Sequence, residues 1–152
     1  MSDHWIGIIP READFVPSAE AVAVAEAYFA EIAPEAEDVV SEVAGAVRFR
    51  DCGGNFESIR CPVCDADVSI DWWSDQLDDE DSWVGDFGNK PLRLPCGHTA
   101  KSLNDLRYRF EQGFSRIILN AMNPYIGELK PEQVRRFEEI LGCPVKVINR
   151  HI

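Results

Sequence analysis

The sequence predicts an α+β protein, and two observations carry that reading. Each end of the chain holds a strand-like run, a proline, a second proline seven residues on, a helical pattern and another strand-like run (Pro10 and Pro17; Pro124 and Pro131). Between them lie Cys61-Pro62-Val63-Cys64 and Cys96-Gly97-His98, both flanked by strand-like stretches. The 152 residues suffice for a single domain, residues 1–152, with its own core and one small insertion.

The elements follow in order. HWIGIIP, residues 4–10, reads as a short buried strand stopped by Pro10. Ser18 is placed as the N-cap of the first helix and Glu20 in its first turn. Val22, Ala25, Tyr28, Phe29 and Ile32 share one face before Pro34 ends the helix. Strand character returns over Val47–Arg50, Gly53-Gly54 makes a turn, and FESIRCP reads as the returning strand. Residues 69–91 mix aromatics with acids and fit a short helix or a long loop equally well. Residues 102–113 read as a short helix capped by Ser102, with Asp105 three residues on and Leu103, Leu106 and Phe110 facing inward. FSRIILNAMNP is a strand stopped by Pro124. Pro131 opens the last helix, with Val134, Phe137, Ile140 and Leu141 on one face and Gly142 as its C-cap. CPVKVINRHI is the closing strand. Two βαβ-like halves around one antiparallel sheet make a ferredoxin-like sandwich. Residues 58–101 then form a zinc-ribbon-like insertion.

The cysteine spacing carries the chemistry. Zinc takes four thiolate or imidazole ligands in a tetrahedron. In Cys61-Pro-Val-Cys64 the proline stiffens a turn that aims both thiolates at one ion, and 31 residues separate Cys64 from Cys96-Gly97-His98, the opposing turn. The pattern departs from a zinc ribbon at two points: Asp65 stands where a Gly often follows the first turn, and His98 replaces a fourth Cys. With Cys61, Cys64, Cys96 and His98 all bound, no position remains for water or substrate, and the zinc is structural. It would then pin an insertion too small for its own core. Cys52, nine residues before Cys61, is the rival fourth ligand. It is also the candidate reactive thiol, if a base or a positive field lowers its pKa. Cys143 reads as a small buried hydrophobe.

Other chemistries find no support. The acidic run at 75–86 lacks the alternating acids, central Gly and closing Glu of a calcium loop. There is no phosphate-binding loop, no Gly-x-Ser-x-Gly and no His-Glu-x-x-His. Formal net charge is −12, with 21 acids against 6 bases in residues 1–100 and 6 against 9 in 101–152. Such a surface repels nucleic acid and acidic membrane and leaves a basic partner open. Trp72, Trp73 and Trp83 sit in this acidic middle, as partner-binding anchors or as cover for the small core. The first residues carry no basic start with a long apolar run, and no apolar stretch is long enough to span a bilayer. A soluble, cytoplasmic protein is expected, in which Cys-x-x-Cys binds metal or does redox chemistry.

DCGGNFE, CPVCDADVSIDWW, SLNDLRY and the GCPVKV ending resemble a family of small uncharacterised bacterial proteins of about this length, across most of the chain. The resemblance implies fold coherence and no established activity. Some members carry a transporter-ATPase label, which the missing phosphate loop argues against here.

The sequence therefore leads to a non-enzymatic, metal-binding interaction module with a structural zinc. It would meet a protein partner, a basic one by charge, through the acidic Trp-bearing segment 71–86. An immunity-type inhibitor of a basic toxin is one concrete form. The alternative is an enzyme using an open zinc site or Cys52 as a thiol nucleophile.

Overall fold

The computed structural model describes residues 2–79 and 91–152. In chain order its strands are β1 (His4–Pro10), β2 (Asp38–Arg50), β3 (Ile59–Arg60), β4 (Leu92–Arg93), β5 (Thr99–Ala100), β6 (Arg107–Tyr108), β7 (Gly113–Met122) and β8 (Val145–His151). The helices are α1 (Ala19–Ile32), α2 (Ile70–Asp78) and α3 (Pro131–Leu141). The described residues thus form a mixed α+β protein with three α-helices and a four-stranded antiparallel sheet in the order β2-β7-β1-β8.

β1 lies inside this sheet. It pairs with β7 from Trp5↔Met122 to Ile8↔Leu119, and with β8 from His4↔His151 to Pro10↔Val145. Pro10 has no N–H to give a ladder, which is why the strand stops there. Ser18 caps α1 as expected, its Oγ accepting from the Ala21 N–H at 3.1 Å. Pro131 opens α3, and Gly142 closes it with a left-handed φ of 76°.

Side chains alternate across the strands. Ile6 and Ile8 of β1 and Leu119 and Ala121 of β7 face the helices, packing with Ala25, Phe29, Phe137 and Leu141. The Phe137 ring meets Tyr28 and Phe29 edge-on at 5.0 and 5.1 Å, a favoured aromatic geometry.

The opposite face has two covers. Residues 52–56 lie over its middle, where Cys52 packs with Ile9, Ile118 and Ile148, and Phe56 joins them. This loop is clasped to β8: Gly54 N–H donates to the His151 carbonyl at 2.7 Å, and the Asn55 side chain donates to the Asn149 carbonyl at 2.9 Å. Gly53 has φ +62°, and a Cβ there would collide with the His151 carbonyl, so the position takes glycine alone. The cysteine-bearing segment covers one end, its core joining Val47, Phe49 and Phe114 of the sheet to Ile59, Cys61, Val68, Trp73 and Leu94. Leu103, Leu106 and Tyr108 belong to that core as well.

Three expectations are corrected. β2 begins at Asp38 rather than near Val47. It is an edge strand with mostly exposed side chains and a register shift between Val43 and Arg48, so its apolar alternation is weak. FESIRCP does not return alongside β2; only Ile59–Arg60 are extended, and they pair with Arg107–Tyr108. Residues 102–113 hold a single 3₁₀ turn, Leu103–Asp105, and Phe110 is 37% exposed.

Asn104 explains the aborted helix, because its side chain bonds backbone groups far along the chain. Its Nδ2 donates to the Arg11 carbonyl at 2.7 Å, and its Oδ1 accepts from Phe114 N–H at 3.0 Å and from Lys146 Nζ at 3.2 Å. Lys146 is 5% exposed and also donates to the Asn104 and Gln112 carbonyls, at 2.8 and 3.3 Å. Glu111 neutralises it at 3.3 Å. Burial pushes the Lys146 ammonium below its ordinary pKa, and Glu111 works against that shift.

Asn104→Ala removes the side-chain bonds to the Arg11 carbonyl and the Phe114 N–H, while Lys146 keeps the Asn104 and Gln112 carbonyls and Glu111. Each lost bond costs about 1–3 kcal/mol, so we expect a loss of about 2–4 kcal/mol in urea unfolding. A loss under about 1 kcal/mol would remove Asn104 from its joining role.

Candidate metal centre

Each cysteine turn is built by local hydrogen bonds. In the first, Cys61 N–H donates to the Ala66 carbonyl at 2.9 Å, Asp65 N–H to the Cys61 carbonyl at 3.0 Å, and Val68 N–H to the Ile59 carbonyl at 2.9 Å. Asp65 occupies the left-handed region at φ 61°, the conformation that the expected glycine would supply. Asp is among the few other residues that tolerate it. Asp65 also faces Arg107 at 3.3 Å and Arg60 at 3.8 Å, exposed pairs that add little to stability. In the second turn, β4 and β5 pair, Leu94 N–H donates to the His98 carbonyl at 2.8 Å, and Gly97 N–H donates to the Leu94 carbonyl at 2.9 Å.

The two turns bring Cys61, Cys64, Cys96 and His98 together, with one ligand atom from each inside a group spanning no more than 4.8 Å. These four can hold a metal ion. The Cys96 Sγ lies 3.6 Å from His98 Nδ1. With metal–sulfur and metal–nitrogen bonds of about 2.3 and 2.0–2.1 Å, the sulfur–nitrogen edge of a tetrahedral site is about 3.6 Å. The short Cys-Gly-His turn thus brings Nδ1, the ring nitrogen nearer the backbone, to that distance from Cys96 Sγ. Cys61 is buried, while Cys64 and Cys96 are exposed. Val63 N–H donates to Cys61 Sγ at 3.4 Å.

The two thiols of the first turn diverge. Burial pushes Cys61 up, but the Cys64 and Val63 N–H groups and the Cys96 and Cys64 thiols outweigh it, leaving its pKa below the usual thiol value. For Cys64 the Ala66 N–H pulls down, while burial and the neighbouring Cys61 and Cys96 prevail and leave it raised.

Cys52 does not join this group. It is fully buried, and its N–H and its Sγ both contact Gln112 Oε1 at 3.4 Å. Burial pushes its thiol up, the opposite of what a nucleophile needs. Cys143 is half-buried against the helix-side core, its thiol raised by burial and by Glu138 and Glu12.

The tryptophans separate. Trp73 is 7% exposed and stacks on Phe56 at 5.3 Å. Its Nε1 donates to Tyr108 Oη at 3.1 Å, and Tyr108 donates on to the Leu103 carbonyl at 2.6 Å. It belongs to the core and not to a partner-binding surface. Trp72 is half-buried beside it, and Trp83 lies outside the described residues. Sequence reasoning missed Asn104, Gln112 and Lys146 as a buried polar group. Only the charge of Lys146 within an apolar strand could have hinted at it.

No helix among the described residues is long and apolar enough to cross a membrane. No protein-family model, curated protein or solved structure matches the chain.

In metal-free protein at alkaline pH, where the raised Cys64 thiol also ionises, iodoacetamide should modify the exposed Cys64 and Cys96 and spare the buried Cys52, read by peptide mass spectrometry. Fast modification of Cys52 in folded protein would contradict its burial.

Proposed function

We propose that this protein is a non-enzymatic interaction module whose fold is completed by a structural zinc ion. The convergence of four soft or borderline ligands on one point carries this reading. Three thiolates and an imidazole suit zinc, and four protein ligands leave the ion no open position for a substrate. On this reading the frame is a ferredoxin-like sandwich, supported by the strand order and by both long helices lying on one face. The segment at 58–101 is a zinc-ribbon-like insertion, supported by its two short hairpins.

The partner is a protein with a basic surface. Helix α2 supports this, presenting exposed Asp71, Asp75 and Asp78 with exposed Asp79 just after it, beside half-buried Trp72. Proteins captured at low salt should be released at high salt, because exposed ion pairs are screened. A triple Asp71→Asn, Asp75→Asn, Asp78→Asn variant should not capture them. Equal capture by the variant would take α2 out of the interface.

Protein purified without added metal should carry one zinc per chain by elemental analysis. His98→Ala should lose the metal or bind it far more weakly, and a chelator should unfold the 58–101 region. Affinity should also fall with pH as protons compete for the thiolates. Full zinc retention in a stable His98→Ala protein would remove His98 from the site, and absence of metal from the wild type would end the zinc reading.

A further inference from the structure

The four candidate ligands are not equally sheltered. Cys61 is fully buried in the core beneath the first turn, whereas Cys64 and Cys96 are exposed. The two exposed thiols belong to different turns, Cys64 closing the first and Cys96 opening the second. Their sulfurs are part of a group whose ligand atoms all lie within 4.8 Å of one another. A disulfide holds its sulfurs about 2 Å apart, so joining this pair takes a shift of less than about 3 Å.

The second turn has room for that shift. At Gly97, next to Cys96, a side chain would meet nothing within 4 Å, so the turn stands clear of its surroundings. Cys61 is held more firmly. Its N–H donates to the Ala66 carbonyl at 2.9 Å, its carbonyl accepts from Asp65 N–H at 3.0 Å, and its side chain packs in the core. A small reagent arriving from solvent meets Cys64 and Cys96 before Cys61.

We propose that this site is a peroxide-sensitive switch, in which oxidation joins Cys64 to Cys96 and releases the ion. The proposal rests on the metal reading above. Thiols that coordinate a metal are held as thiolates, the form that attacks peroxide. One exposed thiolate attacks a peroxide oxygen. The O–O bond breaks, a sulfenic acid forms and hydroxide leaves. The second exposed thiolate then displaces hydroxide from that sulfur, and the S–S bond forms. Two electrons pass from the two sulfurs to the peroxide, which ends as two hydroxides. Cys61 and His98 remain, short of the four ligands that zinc takes in a closed site. The new bond spans the same two turns as the ion, so the hairpins stay together after it leaves. A disulfide within the first turn, between Cys61 and Cys64, would leave them apart.

The test uses full-length zinc-loaded protein titrated with hydrogen peroxide. Zinc release is followed with a chromogenic chelator, and disulfides are mapped by peptide mass spectrometry without reduction. Release should track formation of a disulfide between Cys64 and Cys96 one for one, and Cys52 should stay reduced. A thiol reductant with added zinc should restore the starting protein. Trypsin should spare residues 58–101 in the oxidised protein and cut there in reduced, chelator-treated protein. Zinc retained under excess peroxide, zinc lost with any other sulfur product, or equal cutting of the two forms would overturn the proposal. Protein that holds no zinc before peroxide is added overturns the metal reading and this proposal with it. Zinc retained under peroxide overturns this proposal alone.

Discussion

Asn104 fastens the two parts of this chain together. One amide side chain satisfies the carbonyl after β1, the N–H of Phe114 near the start of β7 and the ammonium of Lys146 in β8. All of this lies in a buried region, where polar bonds are stronger than in water and broken ones are costly. Lys146 can sit there because carbonyl oxygens and Glu111 surround it. A buried ion pair of this kind is weak evidence for stability as such. Its effect is to fix where the cysteine-bearing segment rests on the sheet.

That segment needs fixing because its regular structure is slight. Its strands are two residues long, and its core borrows Val47, Phe49 and Phe114 from the sheet. Two devices compensate. The aromatic cluster around Trp73 supplies apolar area, and its hydrogen-bonded chain through Tyr108 to Leu103 ties α2 to the end of the segment. Cys61, Cys64, Cys96 and His98 converge where the two turns meet and could hold a metal ion there. Neither hairpin has enough backbone pairing to hold that arrangement alone.

The sequence made the sheet's frame legible where periodicity and punctuation agree. Pro10, Ser18, Pro131 and Gly142 mark element ends by local chemistry, and the structure uses each as read. The cysteine turns were legible for the same reason, since a Cys-x-x-Cys or Cys-Gly-His turn is fixed by its own few residues. What stayed hidden is tertiary. Nothing local marks Asn104 as a hub or Phe110 as exposed, and a helical pattern at 102–113 gives way to distant backbone partners. β2 was half hidden because an exposed edge strand has little apolar alternation to read. Trp73 was ambiguous because a large aromatic serves a core or an interface equally well.

The place of β1 in the sheet has a consequence for how the molecule assembles. Residue 4 pairs with residue 151, and the same strand pairs on its other edge with β7. Both partners lie far along the chain from β1, so β1 cannot be enclosed until they have been made. Such long-range pairing is slow to form, because a large loop must close before any contact rewards it. Until then Ile6, Ile8 and Ile9 offer an apolar edge to other chains. The cysteine turns and their hairpins draw on nearer residues and can close early. The segment with the least regular structure can thus form its turns early, but its core settles only when β2 and β7 supply Val47, Phe49 and Phe114.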